Sequence, residues 1–177
     1  MIYSVLDLFI LSLLDRGLQT PYDLQRQGGL SLGSTVPALR RLETAGLIRK
    51  RKGTGASKRP RHSYQLSAAG RTCAEDGWKM YLKAPNQMDL DAVLRVADMA
   101  QYYNARTADM VEFFEAVVLE RRVPGRSRIL DSDGKSSSLG HMPTLRAWNA
   151  ARLKAEAKFL AALAKSVTST SASRSKR

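Results

Sequence analysis

With 177 residues, 44% hydrophobic and 25% charged, the chain has the material for a buried core and more than one compact unit. A single cysteine excludes an internal disulfide framework and fits a reducing cytoplasm, the localisation expected here. The net charge of +13 is concentrated, with +9 on residues 39–71 and +8 on residues 126–177, against −1 on residues 1–38 and −3 on residues 72–125. Such patches call for a polyanionic partner. Nucleic acid is the reading preferred over an anionic membrane surface, because no basic amphipathic helix is paired with exposed aromatics.

Ile2–Arg16 reads as the first helix, with Val5, Leu6, Phe9, Ile10, Leu13 and Leu14 on a wide apolar face and Gly17 as its stop. The run lacks a cationic leader and a cleavage site, and Asp7 interrupts it, so it does not read as a secretory signal. No stretch approaches the ~20 apolar residues of a membrane span. Thr20-Pro21-Tyr22-Asp23 opens a short second helix with a cap, a proline at the first position and an acid in the first turn. Gly28-Gly29 supplies the turn into a third helix initiated at Ser31, a helix-turn-helix pattern. Tyr22, at the head of the second helix, is a candidate for holding a phosphate with its hydroxyl and the free backbone N–H groups there.

In the third helix the spacing places Leu32, Val36, Leu39 and Leu42 inward and Ser34, Pro37, Ala38 and Arg41 outward. Ser34, Thr35, Pro37 and Ala38 are expected to face base edges and thymine methyls. Arg41 is assigned to a guanine or a phosphate, and Arg40 to a phosphate. Pro37 conflicts with a helix interior at a cost of about 3 kcal/mol, so the helix either begins near Ser34 or starts at Ser31 and kinks. After Ala45-Gly46, Leu47–Lys52 and Arg61–Leu66 read as two strands around a Gly/Ser/Lys/Arg loop. Seven cations fall in this hairpin: Arg49, Lys50, Arg51, Lys52, Lys58, Arg59 and Arg61. Clustered cations repel one another, so folding does not explain them. Lys58, Arg59 and Arg61 are the candidates for gripping phosphates or entering a minor groove.

Ser67 caps a fourth helix running from Ala68 to about Lys83, and Asn86 caps a long one whose pattern reaches Arg122. Apolar residues from Met110 to Leu119 go nearly all round that helix, which implies cover on most sides and hence a homodimer. Leu94, Val111, Phe114, Val118, Trp148 and Phe159 are the candidate dimerisation residues. Gly125–Met142 reads as a mobile polar loop, and Pro143 or Thr144 starts a last helix. From Ser166 the Ser/Thr/Lys/Arg tail lacks periodicity and reads as disordered. The expected fold class is mainly α: a winged helix-turn-helix domain with a two-stranded β wing over 1–84, a helical dimerisation region over 85–166, and a basic tail over 167–177.

Five segments together resemble the PadR family of bacterial winged-helix transcriptional regulators. They are Val5–Gly17, Thr20-Pro21-Tyr22-Asp23-Leu24, Gly33–Glu43 with its Pro-Ala-Leu-Arg-Arg-Leu-Glu run, Ala45-Gly46-Leu47-Ile48, and Arg61–Arg71. The likeness covers roughly the first 80 residues, and Val36 stands where the family frequently has tyrosine. The resemblance implies a homodimeric repressor of an inverted-repeat operator in double-stranded DNA, joined through its C-terminal helices. It also implies release by a small, often aromatic, effector. Tyr102, Phe113 and Trp148 are the candidates for that effector, with core and interface packing as the plainer reading of all three.

No paired catalytic carboxylates, Ser/His/Asp arrangement, phosphate-cradling glycine loop or metal-ligand spacing is present, so neither an enzyme nor a metal or other cofactor is expected. Cys73, His62 and His141 are too isolated to form a metal site. The alternative reading is a non-specific nucleic-acid-binding or architectural protein, which the overall charge and the basic tail allow.

Overall fold

The computed structural model describes residues 3–52, 62–83, 88–122 and 142–174. They form two compact units, 1–83 with 91–104, and 84–90 with 105–177.

The first unit begins with α1 (Val5–Asp15), α2 (Pro21–Arg26) and α3 (Leu32–Thr44). Ser4 and Asp7 form a capping box at α1, and Thr20 and Asp23 form another at α2, so local chemistry fixes both starts. Leu8, Ile10 and Leu11 of α1 are fully buried together with Leu24, Leu39 and Leu42. This makes α1 the central rod on which α3 and α4 pack. Gly46, at φ +72°, turns the chain from α3 into β1 (Ile48–Lys52), a backbone conformation that disfavours any side chain. β1 pairs antiparallel with β2 (His62–Leu66), in a register that sets Ile48 against Leu66 and Lys50 against Tyr64. The Tyr64 N–H donates to the Gln19 carbonyl at 2.8 Å, tying the wing to the α1–α2 connection.

α4 (Ala68–Asp76) is capped by Ser67, whose hydroxyl also reaches the Gly46 and Leu47 carbonyls at 2.8 and 3.0 Å. The single helix expected from Ala68 to Lys83 is interrupted at Gly77, and α5 (Lys79–Lys83) follows. Trp78, between them, is buried and stacks on Tyr103 with centroids 6.3 Å apart.

The long helix expected from Asn86 to Arg122 is two helices, α6 (Leu90–Tyr102) and α7 (Thr107–Arg122). Asn104 takes a left-handed φ of +56° between them, a conformation asparagine tolerates because its short side chain can bond locally. The break reassigns α6. A linear cut near residue 84 put this helix with the dimerisation region, whereas Asp91–Asn104 belongs to the first unit. Arg16 bridges Asp98 at 2.6 Å and Tyr103 donates to Asp15 at 3.3 Å, fastening α6 and its end to α1. Leu94, a candidate dimerisation residue, therefore lies in the winged-helix unit and is half-buried there.

In the second unit α7 packs against α8 (Met142–Arg174). Met110, Phe113, Phe114, Val117 and Val118 of α7 and Ala157 and Leu160 of α8 are buried. The inference that α7 needs a second chain to cover it is corrected on this face, because α8 of the same chain supplies the cover. Arg121 and Glu156 form a buried ion pair at 2.8 Å, and Arg121 also donates to the Met88 carbonyl at 3.1 Å. At 1.5 Å per residue the 33 residues of α8 rise about 50 Å, twice the length of α7. The helix continues to Arg174, whereas the Ser/Thr/Lys/Arg composition from Ser166 predicts a disordered tail. That stretch contains neither proline nor glycine, so nothing in it stops a helix already propagating. The loop reading of Gly125–Met142 falls, apart from Met142, outside the described residues.

Among the described residues no helix is long and apolar enough to cross a membrane.

Candidate nucleic-acid interface

Ser31 caps α3 by accepting from the Ser34 N–H at 3.2 Å, and the helix runs on through Pro37. Of the two expected starts, Ser31 is the one observed. Pro37 cannot donate to the carbonyl of Gly33, four residues back, and Gly33 is exposed at the solvent end of the helix. The buried stripe of α3 is Thr35, Ala38, Leu39 and Leu42. The exposed band runs through Leu32, Gly33, Val36, Pro37 and Arg40.

This rotation corrects the sequence assignment at four positions. Thr35 and Ala38 are fully buried and cannot meet bases, while Leu32 and Val36, expected inside, are 44% and 38% exposed. Both stripes have helical spacing, and the larger apolar side chains mark the stripe that the fold leaves outside. The small residues lie inward instead, where α3 packs against α1 and α2. Thr35 satisfies its buried hydroxyl by donating to the Ser31 carbonyl at 2.7 Å. Ser34, half-buried, shares a 2.8 Å hydrogen bond with the Ser31 hydroxyl.

Arg41 is also placed differently from its expected role. Its Nη2 donates at 2.7 Å to Oδ1 of Asp7, a carboxylate 8% exposed at the start of α1. Asp7 in turn accepts from the Ser4 hydroxyl and backbone N–H. The Arg41 side chain is 56% exposed, so solvent screens the pair, and its Nη2 is the atom committed to Asp7. Arg41 is thus an α1–α3 clamp. An acid interrupting an apolar helix, three residues after a capping serine, was the signal available for Asp7. Arg40 is exposed and free to turn outward beside the band.

Tyr22 is exposed on α2, with Arg26 Nη1 3.5 Å from its hydroxyl. The backbone N–H groups proposed to hold a phosphate there are partly taken. Thr20 N–H donates to the Asp23 carboxylate at 3.1 Å and Asp23 N–H to the Thr20 hydroxyl at 3.1 Å, which places a negative charge at that helix start. A phosphate contact at Tyr22 therefore falls to the hydroxyl and Arg26.

On the wing, Arg49, Lys50 and Arg51 are exposed on β1 immediately after α3. Lys58, Arg59 and Arg61 lie outside the described residues. Burial pushes the Tyr64 hydroxyl above its ordinary pKa, with Glu43 adding to the shift and Arg40 opposing it, so this phenol at the wing's base stays neutral. Burial likewise raises the Cys73 thiol, which keeps it protonated and unreactive.

The aromatic candidates for an effector are not gathered in one unit. Tyr102 belongs to the first, where the Arg16 guanidinium lies 4.2 Å from its ring centroid and Tyr103 meets it edge-on. Phe113 is sealed in the α7–α8 packing of the second, and Trp148 is 65% exposed on α8. Among the candidate dimerisation residues Phe114 and Val118 are buried within the chain, Val111 is half-buried and Phe159 is 47% exposed. Among the described residues no group of three or more His, Cys, Asp or Glu side chains is placed to hold a metal ion.

Three helices, the third followed at once by a cationic antiparallel hairpin, define a winged helix-turn-helix domain. Residues 10–76 match the family model described as "Transcriptional regulator PadR-like family". The resemblance read from the sequence motifs and this match fall on the same segment, and the family matched is one of transcriptional regulators. No curated protein matches the chain. Among solved structures, it is similar to "Crystal structure of Bacillus subtilis PadR in complex with operator DNA", at 18% identity and a TM-score of 0.41. That similarity covers 90% of this chain and 97% of the other.

Proposed function

We propose that the chain is a homodimeric transcriptional repressor that occupies an inverted-repeat operator in double-stranded DNA. The observation that carries this is the junction of α3 with β1, where an exposed helix face adjoins three exposed cations on the strand that follows it. The helix supplies discrimination in the major groove, and the wing supplies affinity through phosphates. Occupancy by itself obstructs a promoter, so no chemistry is required of the protein.

Dimerisation is supported by the apolar surface left on the second unit. Leu119, Trp148 and Phe159 remain exposed after α7 and α8 have packed, and α8 extends well beyond the length α7 can cover. Phe159→Asp should leave the α7–α8 packing intact and convert the dimer to monomer, read by light scattering. An intact dimer would remove this residue from the interface. Phe114→Asp would not serve, since it places a charge inside the chain's own core.

If each subunit neutralises about three or four phosphates, log K against log salt should fall with a slope of about −5 to −7 for the dimer. Arg51→Ala should weaken operator and scrambled duplex alike and flatten that slope by ~1 per subunit. A change in sequence preference would show instead that Arg51 reads a base. Footprinting tests the whole reading: two protected patches centred about one helical turn apart are expected. Uniform protection without a discrete repeat would favour a non-specific architectural protein.

A further inference from the structure

We infer that the first two turns of α3 select operator positions by apolar contact with the C5-methyl groups of thymines, with Val36 at the centre of the contact. The inference rests on the proposed function and specifies what the exposed helix face reads.

The outward band at this end of α3 offers almost no hydrogen-bonding group to a base edge. Leu32, Val36 and Pro37 present carbon, and Gly33 presents no side chain. The polar side chains nearby are engaged elsewhere. Thr35 is buried and donates to the Ser31 carbonyl, and the Ser31 and Ser34 hydroxyls bond one another at 2.8 Å. Arg41 is exposed but spends its Nη2 on Asp7 at 2.7 Å, which ties its guanidinium toward α1. Arg40 is the first free cation along the band, one turn beyond Val36.

Apolar side chains left in water on a small domain call for an occupant. The charge around them selects it, since Arg40 adjoins the band and Arg49, Lys50 and Arg51 follow on β1. An apolar protein partner would have to cover those cations, whereas a duplex supplies phosphates at the rim and a groove floor at the centre. Of the groups on a major-groove floor, the thymine methyl is the apolar one, and it is absent from the other three bases. Leu32 and Val36 are four residues apart, as are Gly33 and Pro37, so the band is one continuous strip along the helix. Gly33 and Pro37 keep one side of it shallow, which lets the helix approach closely enough for Val36 to touch a methyl.

The test begins with selection of duplexes from a random pool by the full-length chain. Each thymine of the recovered half-site is then replaced in turn by deoxyuridine, which removes the methyl and keeps the base pair. At one or two thymines the loss should be about fourfold per methyl, the value of one buried carbon group. Val36→Ala should abolish the difference between thymine and deoxyuridine at one of those positions. Because Val36 is exposed, the variant should fold normally. A discrete half-site that binds equally well with deoxyuridine throughout would overturn the inference and leave the repressor reading standing. Failure to recover any preferred sequence would overturn both.

Discussion

Glu156→Ala is expected to destabilise the second unit by about 3–5 kcal/mol, the largest loss anticipated from any single side chain there. The carboxylate and the Arg121 guanidinium are 10% and 5% exposed and meet at 2.8 Å, so truncating one leaves the other charged in a dry environment. Arg121 would retain its bond to the Met88 carbonyl, which satisfies a donor without balancing the charge. Arg152, 3.8 Å from the other carboxylate oxygen and half exposed, adds little to the pair. Chemical denaturation of the full chain should show the loss. The double variant Arg121→Met/Glu156→Leu should recover most of it, because the penalty lies in the unpaired charge. If the single variant were as stable as the parent, the pair would have no role in joining α7 to α8.

The second large effect is expected at Gly70. In the middle of an exposed helix, glycine to alanine gains up to about 1 kcal/mol. Here the sign reverses, because a Cβ on Gly70 would stand 2.0 Å from the Leu47 carbonyl oxygen. That carbonyl already accepts from the Ser67 N–H at 2.9 Å and from the Ser67 hydroxyl, so it cannot withdraw without undoing the α4 cap. Gly70→Ala should therefore cost about 3 kcal/mol or more and displace Leu47, the residue leading into β1, from α4, weakening DNA binding along with stability. Gly33→Ala is the control, since nothing lies within 4 Å of a Cβ there and no stability should be lost. Equal thermal midpoints for the two variants would refute the close approach of α4 to Leu47.

Elements governed by local chemistry were legible in the sequence. The caps at Thr20, Ser31 and Ser67, the glycine turns at Gly17 and Gly46, and the two strands appear where the residues put them. What the sequence did not disclose depends on pairings distant along the chain. Which stripe of α3 faces inward is decided by what α1 and α2 present to it, so Thr35 and Ala38 changed places with Leu32 and Val36. The tie of Arg41 to α1 needed Asp7, 34 residues earlier. The division at Asn104 was hidden because apolar periodicity continues through both α6 and α7, while the four residues between them hold no proline or glycine. The apolar girdle of α7 called for cover, but its periodicity was silent on whether that cover came from α8 or from another chain.

Competition between an operator duplex and a scrambled duplex of equal length and composition, at one moderate salt concentration, tests the central claim most directly. Two copies of the α3–wing surface reading sequence should bind the operator about a thousandfold or more tightly than the scrambled DNA. Equal affinities for the two duplexes would contradict it.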